Sequence, residues 1–413
     1  MAEMLTTTPP QDGTGNRDAE FVFALGSALH TYGTASNQLE QAMRKTMRRL
    51  NLKGELFALP TGLFVTVNTN GQEHTSIIRV EPGDTNLEKL ALLDELTQRV
   101  NRGEVNTEEG IAAINTILNA PPRYGNLLQI LSYSVGSAMV CRFLEGGWRE
   151  IAVSAFIGLL IGLWSFVCRQ FINASFLFEP VAAAASAAIA IIVARKALNC
   201  SVYEVTLAGL IAALPGLTMT TAMKELAMRH LVAGTVRVAW ASLVFLEIAF
   251  GVALGSQVTK LFDGPLPRID PVALPLWTIW IALLIAPLAF AVRFNARPKD
   301  LGWISIGCIV GFGGSRLGAG IFSWEFGGFV GAFYACATSN LIARLTNRPS
   351  SIVLAPSLLL LVPGSIGFVS VSSFLEQNIL TGIQAAFSMV MVAMSIVIGL
   401  LVANALVPAR KIL

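Results

Sequence analysis

The segment VAAAASAAIAIIVA (Val181–Ala194) decides the fold. Apart from Ser186 it contains only Ala, Val and Ile, with Arg195 and Lys196 just beyond it. A helix that is apolar on every side has no face to offer to water, so it must be buried in protein or in lipid. Apolar stretches long enough for a bilayer core of ~30 Å recur on both sides of it. They run at roughly 126–144, 150–168, 175–194, 202–223 and 231–257, then 272–293, 300–322, 324–345, 351–374 and 379–407. Composition agrees: 54% of the 413 residues are apolar and only 13% charged, against about 25% charged in a soluble domain. Mean hydropathy is +0.63. The expectation is an all-α polytopic membrane protein of about ten transmembrane helices, with the lipid bilayer as its first partner.

The chain ahead of these spans reads differently. Residues 1–18 are polar, hold Pro9, Pro10 and Gly13, and have no apolar core of a signal peptide; a disordered tail is expected. From Ala19 to about Asn51, Leu25, Leu29, Tyr32, Leu39, Met43, Met47 and Leu50 recur at helical spacing. Leu63–Thr69 and Thr75–Val80 alternate around Asn70-Gly71, a hairpin signal. Further helices are expected from about Asn86 to Arg99 and from Thr107 to Leu118, the latter with Asn106 and Glu109 at capping-box spacing. Residues 19–122 thus form a small α+β domain, expected in the cytoplasm. Two sets of five spans follow, at 123–260 and 270–413. With that placement the inner connectors, including Arg123, Arg169, Arg297, Lys299, Arg344 and Arg348, are richer in Lys and Arg than the outer ones. This bias has the sign of the positive-inside rule and puts both termini in the cytoplasm of a cell-membrane protein.

The two sets are related. Leu214-Pro215-Gly216 returns as Val362-Pro363-Gly364, a shift of 363 − 215 = 148 residues. Gly234 and Gly382 share that shift (382 − 234 = 148), as do Gly251 and Gly399 (399 − 251 = 148). Phe178-Glu179 and Trp324-Glu325 open the third span of each set. Five spans is an odd number, so a second copy must enter the membrane from the opposite side. Inverted repeats of this kind are the architecture of many secondary transporters.

Pro215-Gly216 and Pro363-Gly364 lie inside the fourth and ninth spans, where Pro removes a backbone donor and Gly tolerates unwinding. Unwound backbone at that depth is stable only inside protein or beside a water-filled cavity. A proline kink re-satisfied by neighbouring helices is the plainer reading of either one alone; as a symmetric pair they mark a midplane binding site. Thr218 and Thr221 follow the first break and Ser365 the second; these hydroxyls bind a polar solute or bond back to their own helix. Glu247 lies midway along the fifth span. Because an ionised group in the bilayer costs at least ~2.5–3.5 kcal/mol, it is a proton-coupling candidate, with a structural hydrogen bond as the alternative. Glu225, beside Lys224, is a second coupling candidate or an ordinary ion pair at the cytoplasmic mouth. Asn340 is helix glue first and a substrate ligand second.

Much is excluded. The net charge of +3 is small and dispersed, unlike the basic stripe of a nucleic-acid binder. The five cysteines lie in or beside apolar segments without a C-x-x-C pair, and the three histidines are scattered. Neither a metal site, a cofactor nor a disulfide framework is expected. Hydrolase, metalloprotease and Walker A signatures are lacking, so the protein reads as a transporter and not an enzyme.

The order of motifs resembles the threonine/serine exporter family in its fused two-domain form. The resemblance is carried by Leu25-Gly26-x-x-Leu29-x-x-Tyr32-Gly33, Leu39-Glu40, Pro121-Pro122-Arg123-Tyr124, Gly146-Gly147-Trp148, Pro215-Gly216, Lys224-Glu225-Leu226 and Gly234-x-x-Arg237. It covers the chain from residue 20 onward, the second five spans resembling the family's smaller C-terminal domain. It implies export of threonine, serine or related small polar metabolites, driven by protons. Dicarboxylate export is associated with two-subunit relatives, and Glu225 stands where the family usually has Asp. An uncoupled facilitator or channel remains the alternative within transport. A membrane-anchored enzyme or sensor acting through residues 19–120 is the alternative of another class. A homo-oligomer is compatible with all of these.

Overall fold

The computed structural model describes residues 14–69, 72–80, 83–261, 269–361, 364–375 and 378–409. The expected Asn70-Gly71 turn, Pro363 and most of the polar tail lie outside them. Helix α1 (Thr14–Thr31) begins four residues earlier than the tail was expected to end. The single amphipathic helix expected over 19–51 is two, α1 and α2 (Ser36–Arg49). Gly33 takes φ +90° at the corner, a conformation that costs glycine little. The apolar period runs across the corner because both helices face one core, where Leu25, Leu29, Leu39, Met43 and Met47 are buried.

Three antiparallel strands follow: β1 (Lys53–Leu59), β2 (Gly62–Thr69) and β3 (Gln72–Arg79), in the order β1-β2-β3. The pairing Thr69↔Gln72 joins β2 to β3 across the expected hairpin; β1 was not anticipated. Leu63, Val65 and Val67 alternate into the core from β2. Helices α3 (Leu87–Arg102) and α4 (Thr107–Asn119) complete the unit. Each is capped by an asparagine: Asn86 Oδ1 accepts from Lys89 N at 3.0 Å and Asn106 Oδ1 from Glu109 N at 2.7 Å. His30 is buried here, its Nε2 3.1 Å from the Pro60 carbonyl. Burial first, and the charge of Arg237 second, push its pKa below the ordinary value. A histidine kept neutral when folded binds fewer protons than when unfolded, so stability rises with pH. Stability is therefore expected to be full above about pH 6.5 and to fall as pH drops from there toward the folded pKa. Thermal unfolding of His30→Gln across that window should show a flatter pH slope than the parent.

The apolar part comprises α5 (Asn126–Phe143), α6 (Trp148–Gln170), the short α7 (Ile172–Ser175), α8 (Phe178–Lys196), α9 (Val202–Gly209), α10 (Gly216–Ala227) and α11 (Leu231–Ser256). After residues 257–276 come α12 (Trp277–Arg293), α13 (Leu301–Ile321), α14 (Trp324–Thr346), α15 (Ser351–Leu359), α16 (Gly364–Leu375) and α17 (Ile379–Leu406). Among the described residues seven helices are long and apolar enough to cross a membrane. One of the seven runs from α15 into α16, Ser351–Ser370. The other three expected spans fall short for physical reasons: α5 carries Asn126, Gln129, three serines and Arg142, the fourth is cut into α9 and α10, and α12 has only 17 residues.

Packing repeats from one set to the other. Helix α8 packs on α11 as α14 packs on α17, and α10 on α11 as α16 on α17. Crosswise, α10 packs on α17 and α16 on α11. The glycines at the 148-residue shift occupy matching contacts. A Cβ at Gly251 would collide with the Pro180 carbonyl and lie 2.7 Å from Ala183 Cβ; one at Gly399 would collide with the Phe329 carbonyl and lie 3.2 Å from Ala332 Cβ. Both are fifth-helix glycines seated on the backbone of the third helix of their own set.

The α+β unit rests on the connectors of one face. Arg169, at the end of α6, meets Asp84 at 3.0 Å, and Glu225, at the end of α10, meets the Ser36 amide at 3.1 Å. From the second set, the carbonyls of Phe294 and Asn295 accept from Leu87 N and Glu88 N, and Arg297 pairs with Glu95 at 2.9 Å.

Candidate substrate site

The first break is a turn from Leu210 to Leu214, tied by Ala213 N to Leu210 O at 2.8 Å, after which Pro215 leads into α10. The second follows Leu361, whose amide donates to Leu358 O at 2.8 Å, and α16 begins at Gly364. The breaks meet. A Cβ on Gly364 would lie 3.3 Å from Leu214 Cβ and 3.6 Å from Gly216 Cα. The two glycines that open the two half-helices are therefore neighbours, and a side chain at Gly364 would press on Leu214. The first amides of a helix have no acceptor within it, and each helix start carries about half a positive charge. Two such starts converge here. Thr218 and Ser365 stand in their first turns.

Water-sized space flanks α10 on the side of the α+β unit. A cavity of about 250 Å³ is bounded by the first break, Thr218, Ser132 and Tyr133 of α5, Arg293 and Phe290 of α12, and Gly83–Thr85. Another, of about 120 Å³, takes Thr220, Thr221, Lys224, Gly33, Gln38 and the start of α15. Thr221 faces this second cavity, but its hydroxyl donates to Leu217 O at 2.9 Å, and Thr220 donates to Gly216 O at 3.1 Å. Both bond back to their own helix.

The other candidates lie elsewhere. Asn340 Nδ2 donates to Asn404 Oδ1 and to Val407 O, both at 2.8 Å, fastening α14 to the end of α17 away from the breaks. Glu247 lines an outward groove with Leu177, Pro180, Leu246 and Phe250, level with the start of α8. The corresponding groove of the second set holds Met394, Ser395 and Ile398, the residues 148 positions after Leu246, Glu247 and Phe250. Glu225 is fully buried: its Oε1 accepts from Ser36 N at 3.1 Å and its Oε2 from Arg237 Nε at 2.9 Å. Glu225 thus ties the end of α10 to α11 and to the α+β unit.

Sequence reasoning missed the charged group in the larger cavity. Asp84 receives Arg169 Nη2 at 3.0 Å and Arg293 Nη2 at 3.4 Å. Arg293 lies over the Tyr133 ring, 4.9 Å from its centroid. The charge of Arg293, then that of Arg169, holds the Asp84 carboxyl below the usual carboxylate range against the opposing effect of burial. Only the Pro82-Gly83 turn signal beside Asp84 hinted at a loop here; its partners are remote in the chain.

Comparison with known proteins matches the sequence to one family across both sets. Residues 20–259 match the family model for threonine/serine exporters, and residues 279–406 match a second, described as "Threonine/Serine exporter, ThrE". Among curated relatives, "Pheromone-regulated membrane protein 10" of Saccharomyces cerevisiae is 27% identical over 391 residues, covering 90% of this chain and 48% of that protein. Its namesake in Candida albicans is 26% identical over 372 residues (86% and 33%). An uncharacterized protein of Schizosaccharomyces pombe is 25% identical over 370 residues (84% and 43%). The chain spans less than half the length of these relatives. No solved structure matches it. With its N-terminal unit and both helix sets matched, the chain is a membrane protein that belongs to the threonine/serine exporter family.

Proposed function

We propose that the protein is a secondary active exporter of small polar metabolites such as threonine and serine. It works by alternating access between two five-span halves of opposite sense. The observation that carries this reading is the abutment of Gly216 and Gly364, which brings two half-helix starts together inside the apolar bundle. Converging positive helix ends suit a substrate carboxylate, and the hydroxyls of Thr218 and Ser365 suit its polar remainder.

The opposite sense is supported by which connectors touch the α+β unit. In the first set these follow the second and fourth spans, at Arg169 and Glu225. In the second set they follow the first span, at Phe294–Arg297, and the third, at Pro349. A copy threaded in the same sense would present the same connectors to the same face. Counting each broken pair as one span gives ten. The face bearing the α+β unit is read as cytoplasmic, since Arg169, Arg297, Lys299 and Arg348 lie on its connectors.

Proton coupling falls to Glu247, midway along the fifth span. Glu247 makes no hydrogen bond or ion pair among the described residues, whereas Glu225 is held by Arg237. The test is efflux of labelled L-threonine and L-serine from proteoliposomes with and without a pH gradient. The gradient should accelerate efflux, and Glu247→Gln should remove that acceleration without loss of fold. Equal rates in the parent with and without the gradient would leave a facilitator; no efflux of either amino acid would remove the substrate assignment.

A further inference from the structure

We infer that the cavity beside the first break is an entry site for zwitterionic solutes, in which Arg293 takes the carboxylate and Asp84, contributed by the α+β unit, takes the ammonium. This deepens the transport reading and rests on it. The cavity, about 250 Å³, is large enough to admit a small amino acid and opens onto Thr218 at the start of α10. Arg293 is oriented by stacking on Tyr133 and keeps 22% of its side chain accessible, while Asp84 keeps 58%. Both charges line the cavity and keep some accessibility, unlike the fully buried Glu225.

The charge pattern selects the ligand. Asp84 meets Arg169 at 3.0 Å and Arg293 at 3.4 Å. The Arg293 contact is the one that a solute can open, since of the two arginines it is Arg293 that lines the cavity, and the pair with Arg169 leaves Asp84 anchored. A zwitterion inserted between Asp84 and Arg293 replaces one ion pair by two, with no change in the net charge of the group. A dicarboxylate would bring a second negative charge against Asp84, and an amine without a carboxylate would leave Arg293 unmatched. The α+β unit then supplies half of a recognition site, and Arg293 hands the solute toward the helix starts at Gly216 and Gly364.

The experiment is equilibrium binding of labelled L-serine to the purified full-length chain, with succinate and ethanolamine as competitors. Asp84→Asn should weaken L-serine about tenfold or more and leave competition by succinate equal or stronger. Arg293→Gln should weaken L-serine and succinate alike. Asp84→Glu should recover most of the L-serine affinity. If Asp84→Asn binds L-serine as well as the parent, or better, Asp84 is at most a resident occupant and the inference fails. Against variants that unfold, Thr85→Cys, at the cavity wall in the otherwise intact chain, gives a second readout with a membrane-impermeant maleimide, the native cysteines being buried. Its labelling should be slowed by L-serine and not by ethanolamine; equal rates with and without saturating L-serine would overturn the site. Unaltered L-serine efflux in Asp84→Asn and Arg293→Gln would reject this site while leaving the export reading intact. Absence of efflux in the parent would reject the export reading itself.

Discussion

Glu225→Ala is expected to destabilise the folded protein by about 3–5 kcal/mol. The carboxylate has no exposure, and its partner Arg237 keeps only 18%. Removing the acid leaves a largely buried guanidinium without its counter-charge and the Ser36 amide without its acceptor. An uncompensated buried charge costs far more than the pair contributes. Replacing both members by methionine should therefore recover much of the loss, a non-additivity that a double-mutant cycle in thermal or denaturant unfolding would measure. If the two single losses simply add, the pair is not coupled as its geometry requires. Because Glu225 also joins α10 to the α+β unit, the single variant should become more open to limited proteolysis near Ala35.

The second large effect is a matched pair. Gly251→Val and Gly399→Val should each cost about 3 kcal/mol, because each new Cβ would meet a main-chain carbonyl, that of Pro180 or of Phe329. A backbone atom in a packed helix cannot swing aside as a side-chain terminus can. Helix α8 must then part from α11, or α14 from α17. Similar losses of thermal stability in the two variants are expected from the repeat. A large loss at one position with none at the other would show that the two contacts are not equivalent.

The features legible in the sequence are those that the bilayer or the backbone imposes locally. Continuous apolar runs announce spans because lipid tolerates little else, and Pro215-Gly216 announces a break because proline cannot continue the ladder. The 148-residue shift was legible for the same reason: close helix contacts demand glycine, and Gly251 and Gly399 make equivalent ones. Contacts remote in sequence were not legible. Nothing near Arg293 points to Asp84, 209 residues away, and nothing near Glu225 points to the Ser36 amide, 189 residues away. The helix corner at Gly33 was hidden because α1 and α2 share one core and so one apolar rhythm. Strand β1 was hidden because most of its first half is exposed, leaving only Leu56 and Ala58 to alternate inward. Asn340 takes the first of its two readings, helix glue between α14 and the end of α17, and its polarity alone could not choose between them.

The α+β unit is bonded through main-chain atoms to one helix set, at Phe294 and Asn295, and through Glu225 to the other. A bridge anchored on two bodies carries the strain of any displacement between them. By thermodynamic reciprocity, whatever solute or ion shifts the relative position of the sets must also change how firmly the bridge is held. The amide hydrogens of Leu87 and Glu88 would then act as a strain gauge, exchanging with solvent faster in one arrangement of the bundle than in the other.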